Sequence, residues 1–477
     1  MSERHMSQTS GQVAFGSATG KAIVAAAVLG SGMTLLDGTV VNVALRTIGE
    51  DLDASLAELQ WINNGYLLTM SALILLGGSL GDRYGRRRVF VIGSIGFAAA
   101  SLLCGVAPNA TFMIGARILQ GIGAALLTPG SLAMIQGAFE PGSRARAIGA
   151  WSGLGSIAAA VGPFVGGALV DYASWRWIFL INLPLAAMTV VIAQRSVPET
   201  RDPAAPDRFD VSGAVLAAVA LGGVTYALIE WGGALAPVAG VLGVVTAVGF
   251  LVVERRGRQP MMPLVMFADR TFSAANAMTF LVYAALGAVL FFLVLQLQTV
   301  GGFTALEAGT ATLPIVLCMV FLASRGGALG QRIGPRIPMT VGPIVMGLSS
   351  LLLLRAGRDV NYWLDVLPGL TLFGLGLALM VAPLTATVLA AAPDQHAGIA
   401  SGVNNAVARA GSLLAVAALP VMVGLGGDDY ADPAVFDGAF RSATMICAGL
   451  LVLGGVVSWF TIPGSFEEAA DPDSSAL

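Results

Sequence analysis

Residues 77–88 read Gly77-Gly78-Ser79-Leu80-Gly81-Asp82-Arg83-Tyr84-Gly85-Arg86-Arg87-Arg88, a glycine-rich, arginine-dense link between two long apolar runs. A later stretch echoes it: Gly326-Gly327-Ala328-Leu329-Gly330-Gln331-Arg332-Ile333-Gly334-Pro335-Arg336. With Gly78 set on Gly327, Leu80 meets Leu329, Gly81 meets Gly330 and Arg83 meets Arg332. Gly85 then meets Gly334, and Arg87 meets Arg336. Glycines permit a tight reversal and close backbone approach. Arginines between apolar runs belong at a membrane surface, where they anchor against anionic lipid. The echo therefore marks an internal repeat in a chain that crosses a bilayer.

Composition agrees. Hydrophobic residues make up 56% of the 477 and charged residues 11%; mean hydropathy is +0.81. Soluble domains carry roughly 25% charge, and many runs here exceed the roughly 18 to 20 apolar residues that cross a bilayer. Backbone groups in lipid must be satisfied internally, and the runs have helical length without barrel alternation, so the chain reads as an all-α polytopic membrane protein. Apolar runs and Gly/Pro/charge punctuation give fourteen spans: about 22–45, 60–80, 89–107, 111–136, 147–170, 175–194, 211–230, 235–254, 271–298, 305–324, 337–355, 363–391, 397–424 and 438–461.

Several chemistries are disfavoured. No basic block suggests nucleic acid. Cys104, Cys318 and Cys447 lie inside apolar runs without neighbours at metal or redox spacing, and the only histidines are His5 and His396. No metal, no cofactor and no enzyme activity are expected. Gly16 to Lys21 has the wrong spacing for a phosphate loop and is followed by Ala22, so the chain is not expected to use ATP. The first apolar run is as long as a full span and no Ala-x-Ala-like site follows it, so it reads as an uncleaved span.

Lys and Arg fix the orientation. With the N-terminus inside, inner segments hold 18 of them and outer loops 5, leaving Arg117 and Arg409 within spans. An even span count places both termini in the cytoplasm. Gly78 and Gly327 are eight spans apart, two more than six-helix repeats allow, so a pair has been inserted. A weaker echo of Leu119–Leu126 at Leu372–Leu379 supports the repeat. The expected organisation is a disordered cytoplasmic N-terminus (1–20), a six-helix bundle (21–196), an inserted pair (211–254), a second six-helix bundle (271–461) and a cytoplasmic tail (462–477). Two such bundles form a transporter architecture with its site near the midplane between them.

The whole chain resembles the major facilitator superfamily, specifically its fourteen-span drug:proton antiporters of the EmrB/QacA type. Gly77–Arg88 matches that superfamily's loop motif. Arg117-Ile118-Leu119-Gln120-Gly121-Ile122-Gly123 resembles its span 4 arginine motif, and Gly155–Gly167 its span 5 antiporter motif. Leu36-Asp37-Gly38-Thr39-Val40-Val41-Asn42-Val43-Ala44-Leu45 resembles the span 1 motif of the fourteen-span group, and Trp175–Pro184 is also typical. The resemblance implies a proton-driven exporter in the cytoplasmic membrane, working by alternating access on small organic molecules, with protons and lipid as its other partners and a monomer as its unit. It also implies gating by Gly81, Asp82, Arg83, Gly85 and Arg87, and an antiporter role for Gly155, Gly162, Pro163, Gly166 and Gly167. In the second loop copy Gln331 replaces Asp82, so a charged gate is expected only in the first.

Buried charges carry the coupling hypothesis, because ionisable groups within a membrane are costly. At about 1.5 Å per residue, Asp37, Arg117 and Arg409 all fall roughly 10 to 12 Å below the outer face. Asp37 is expected to pair with Arg117 or Arg409 in one conformation and to be released and protonated in another. A carboxylate beside a cation gives up its proton readily, and one left alone in an apolar setting holds it. Asn42, Asn63, Tyr66, Gln120, Tyr283, Gln296, Asn404 and Asn405 are candidates for a substrate cavity. The leading function is export of amphipathic drugs. Export of an endogenous lipid, siderophore or secondary metabolite is the alternative, and a channel or membrane enzyme a distant third.

Overall fold

The computed structural model describes residues 13–202, 210–257, 260–392, 397–427 and 429–466. The fold is helical. Its helices are α1 (Ala18–Leu52), α2 (Leu56–Tyr84), α3 (Arg86–Gly105), α4 (Ala110–Ala138), α5 (Pro141–Tyr172), the short α6 (Trp177–Leu180) and α7 (Asn182–Ser196). Then come α8 (Val211–Ile229), α9 (Ala236–Arg256), α10 (Arg270–Thr299), the short α11 (Ala305–Ala311) and α12 (Leu313–Ile333). The last are α13 (Arg336–Leu352), α14 (Leu367–Ala390), α15 (Ala397–Val423) and α16 (Pro433–Thr461). Thirteen helical segments among the described residues are long and apolar enough to cross a membrane, with α6–α7 and α11–α12 each counted as one. The 32-residue α5 lies between the fourth and fifth of these. Among the described residues the only β pairing is one bridge, Val13 to Phe139.

Successive helices run in opposite directions, which gives the molecule two ends. One end carries the loops around Arg86, Arg144 and Arg332 and both described chain ends; it is called the arginine face here. The opposite end carries Asp51, Asp171, Asp432 and Asp437 and is called the acidic face. The expectation of disorder over residues 1–20 fails from Val13 onward. Val13 N–H donates to the Ala138 carbonyl at 2.9 Å, Phe15 N–H to Ser143 Oγ at 3.2 Å, and Ser17 Oγ caps α1 by accepting from Gly20 N–H. These bonds tie the segment to the α4–α5 turn. Residues 1–12, and 467–477 of the tail, lie outside the described residues.

Helices α1 to α7 pack mainly among themselves, as do α10 to α16. Helices α8 and α9 pack on each other, and α8 also rests on α2 and α15, across the seam between the two groups. Only 11% of the spanning window of α9 is buried, so its Val- and Leu-rich surface faces outward, as an apolar helix does in lipid.

The repeat read from sequence recurs as matched backbone contacts. A Cβ on Gly77 of α2 would lie 2.1 Å from the Ala125 carbonyl oxygen of α4, and one on Gly326 of α12 would lie 2.3 Å from that of Ala378 in α14. Both glycines exist because two helix backbones touch there. At the breaks that follow, Gly85 has φ +116° and Gly334 φ +80°, conformations that side chains with a Cβ rarely adopt. Beyond the break, Arg87 Nη1 donates to the Val197 carbonyl at 3.0 Å, and Arg336 Nε to the Ile462 carbonyl at 2.7 Å. Val197 and Ile462 each cap the helix that closes its group, α7 and α16.

Candidate functional site

Three groups of helix α1 to α4 residues meet at one point. Asp37 sits mid-way along α1, Arg117 and Gln120 lie one turn apart on α4, and Ile62 and Tyr66 face them from α2. Arg117 is fully buried and Asp37 is 1% exposed. Arg117 Nη1 donates to Asp37 Oδ2 at 2.5 Å and to Gln120 Oε1 at 2.5 Å, while Nε donates to the Ile62 carbonyl at 2.9 Å. Gln120 Nε2 donates to the other carboxylate oxygen, Asp37 Oδ1, at 2.8 Å, and to Ser101 Oγ at 2.8 Å. The guanidinium carbon lies 4.4 Å from the Tyr66 ring centroid, and Arg117 Nη2 makes no hydrogen bond. An aromatic face at that distance attracts a desolvated cation.

Both carboxylate oxygens and two of the three guanidinium nitrogens are thus satisfied in a dry interior. A buried pair costs desolvation and becomes tolerable only when hydrogen bonds complete it. Of the two partners open to Asp37, the geometry selects Arg117. Arg409, on α15, makes no hydrogen bond or ion pair among the described residues, and its buried Nε has no acceptor. Tyr66 and Tyr283 are the groups within its electrostatic reach.

The expected cavity residues separate. Tyr283, Asn404 and Asn405 line one cavity of about 100 Å³ between α10, α14 and α15, toward the arginine face. Asn404 Nδ2 donates there to Asn276 Oδ1 and Thr279 Oγ1 at 3.2 and 2.8 Å. Gln120 is withdrawn into the charge centre. Gln296 is elsewhere as well: its Nε2 donates to the Ala356 carbonyl and to Asp437 at 2.7 and 2.6 Å, tying α10 to its neighbours at the acidic face. Asn63 is buried on α2 and Tyr66 stacks on Arg117. Asn42 is half-buried with an unpartnered Oδ1.

The loop motif closes on its own group. Gly85 N–H donates to the Gly81 carbonyl at 3.0 Å. Asp82 pairs with Arg86 at 2.8 Å, and Arg83 lies 5.7 Å over the Tyr84 ring. Glu199, which sequence reading passed over, accepts from Arg87 N–H and Arg88 N–H at 3.1 and 3.2 Å and so caps α3. The arginine that Asp82 meets here is its near neighbour Arg86, within the same helix group.

At the acidic face the two groups are stitched together. Gln298 Nε2 donates to the Val43 carbonyl at 2.9 Å, and Arg46 Nη1 donates to the Gln298 carbonyl. Gln60 Nε2 donates to the Val416 carbonyl at 2.6 Å, and Tyr430 Oη to that of Ala54 at 2.8 Å. Asp171, at the end of α5, accepts from Ala305 N–H and Leu306 N–H at 3.1 and 2.9 Å. The small residues of α5 make this approach possible. A Cβ on Gly167 would strike Leu306, one on Gly162 Thr39, and one on Gly166 Val40, while Gly309 abuts the Pro163 carbonyl. Gly155 faces Leu35 more loosely. The expected antiporter stretch is therefore the strip that seals α5 to α1 and α11.

Comparison with known proteins places this arrangement. The family model described as Major Facilitator Superfamily matches residues 27–416 and again 275–475. The chain is 36% identical over 448 residues to the methylenomycin A resistance protein of Bacillus subtilis, covering 91% of this chain and 94% of that protein. It is 35% identical over 408 residues to the tetracenomycin C resistance and export protein of Streptomyces glaucescens, covering 83% and 75%. The fold is similar to that of the POT family transporter PepTSo, with TM-score 0.67 at 15% identity over 91% of this chain and 96% of that one. It is similar too to the inward-open xylose transporter XylE from E. coli, with TM-score 0.65 at 14% identity over 94% and 98%. The chain is a multi-pass membrane protein that belongs to the Major Facilitator Superfamily, among relatives that are antibiotic and multidrug resistance exporters.

Proposed function

We propose that the protein exports organic compounds across the cytoplasmic membrane in exchange for protons. The observation that carries this reading is the dry Asp37–Arg117–Gln120 centre, set between helices that border the seam. In a state where α1 and α4 shift, Asp37 loses its donors and takes up a proton; when the pair re-forms, the proton leaves. Among the described residues no other buried carboxylate lies at that depth. The names of the relatives, which speak of resistance and export, support an outward direction.

The span count in this reading is fourteen, with α5 as the fifth. The two helix groups act as six-helix bundles over 21–196 and 271–461, with 211–254 as the inserted pair, and the arginine face is cytoplasmic. The hydrogen bonds at the acidic face then describe a state closed to the outside, with the Asn404–Asn405 cavity on the cytoplasmic side. Asp82, Arg83 and Arg87 serve as a latch that engages the opposite bundle only when the cytoplasmic side closes. The working unit is the monomer, and no bound cofactor or nucleotide is required.

The test is efflux of a fluorescent cargo from proteoliposomes under an imposed pH gradient. The reading expects flux that follows the gradient, collapses with an uncoupler and is lost in Asp37→Asn. Flux in the purified Asp37→Asn protein at the original rate, still following the gradient, contradicts it.

A further inference from the structure

Arg409 is the unbalanced charge of the interior. Asp37 and Arg117 cancel each other at 2.5 Å, and Arg409 has no acidic partner among the described residues. Its position follows from helix periodicity. Gly402, Arg409 and Val416 are spaced by seven residues and share one stripe of α15. Both ends of that stripe touch α2: a Cβ on Gly402 would lie 2.6 Å from Leu75 Cδ2, and the Val416 carbonyl accepts from Gln60. The middle of the stripe therefore faces the seam between Gln60 and Leu75 on α2, which is where Tyr66 stands. On the other flank of α15, Ser401, Asn404, Asn405 and Ala408 line the cavity with Tyr283 of α10. Arg409 is next in sequence to one lining residue, Ala408, and four after another, Asn405, which sets it one helical turn beyond the cavity toward the acidic face.

A cation held in a membrane interior without a counter-charge is costly and marks a functional position. Guanidinium offers a planar fork of donors that suits carboxylate and other oxyanions. We propose that Arg409, with Tyr66 and Tyr283 beside it and Asn404 and Asn405 below, forms a subsite for an acidic oxygen function of the cargo, a carboxylate or ionised phenol, so that the cargo class is aromatic anions. This inference rests on the export reading above, and deepens it by naming the charge of the cargo. A cationic cargo would meet like charge at this point, since the Asp37 carboxylate across the seam is already bonded through both oxygens.

The test uses three probes of one ring system and three charges: 2-naphthoate, 2-acetonaphthone and 2-naphthylmethylammonium. Binding to the purified full chain is followed by naphthalene fluorescence for the intact protein, Arg409→Gln and Arg409→Lys. The expected result is that naphthoate binds about tenfold or more tighter than the ammonium probe. Arg409→Gln removes that preference, Arg409→Lys keeps part of it, and the neutral ketone changes little. Thermal unfolding of each variant separates a lost subsite from a lost fold, and retention by the lysine variant excludes a purely structural role. Equal affinities, a preference for the ammonium, no binding of any probe, or a preference that survives Arg409→Gln overturns the proposal. These outcomes are independent of proton-driven flux, so failure of the export reading is registered separately, by the gradient assay.

Discussion

The two halves of this chain share a backbone device and differ in what they hang on it. In both, a glycine lets the second and fourth helices of the repeat touch, at Gly77 with Ala125 and at Gly326 with Ala378. In both, an arginine after a positive-φ glycine holds the capping carbonyl of the closing helix, Val197 or Ile462. The charges are where they part. The first half adds Asp82 with Arg86, Glu199 on the start of α3, and the Asp37–Arg117 pair. The second has Gln331 in place of Asp82 and a lone Arg409 in its interior. Duplicated scaffolding thus fixes the shape of both halves, while a fully buried carboxylate–guanidinium pair is found, among the described residues, in the first alone. The teaching is that a repeat conserves contacts between backbones more readily than it conserves charges.

Substitutions break or sharpen this contrast. The largest effect is expected from Arg117→Ala, which leaves the Asp37 carboxylate buried and without its cation. Removing one partner of such a pair costs about 3 to 5 kcal/mol, to be read as loss of thermal stability in detergent. Arg409→Ala, which breaks no pair, is expected to cost far less; equal losses would erase the distinction between the halves. Next, Gly77→Ala and Gly326→Ala each drive a methyl into a carbonyl oxygen and are expected to cost about 1 to 3 kcal/mol apiece. Similar losses on the two sides sharpen the shared-scaffold account, and a large loss on one side alone breaks it. Smaller still is Glu199→Ala, which removes the cap on Arg87 and Arg88 and should cost about 1 kcal/mol. Its effect should fall as salt is raised, since the site is partly exposed.

A further substitution bears on the seam. Asp171→Ala removes the acceptor for the first amides of α11, and should raise thiol labelling of a cysteine placed at Ala305 from the acidic face. Labelling that stays at the original level would mean that the packing of Gly162, Gly166 and Gly167 holds the seam without it.

Much of the scaffold was legible in the residues themselves. The glycine–arginine echo located the repeat because backbone contact and positive φ both demand glycine, and few sequences satisfy both by chance. Asp37 and Arg117 were legible because a charge inside an apolar run needs a partner at its own depth. Depth alone left Arg409 as an equal candidate, since it says nothing about which face of a helix a residue occupies. Other features left weaker traces. Gln120 looked like a cavity residue because an amide at mid-span reads the same whether it meets cargo or a neighbouring carboxylate. Gln296 misled for the same reason. Glu199 is an acid on the same face as Arg86, Arg87 and Arg88, and that run of arginines was the signal that would have found it. The order over Val13–Ala18 had no such signal, because it arises from backbone bonding to the distant Ala138 and Ser143.

The central claim is that Asp37 exchanges its bond to Arg117 for a proton. The most direct measurement is the release of protons from purified protein when cargo is added, in weakly buffered solution with a pH indicator. The account predicts release from the original protein and none from Asp37→Asn at a cargo concentration that saturates both. Release of the same size from the correctly folded Asp37→Asn protein would contradict it.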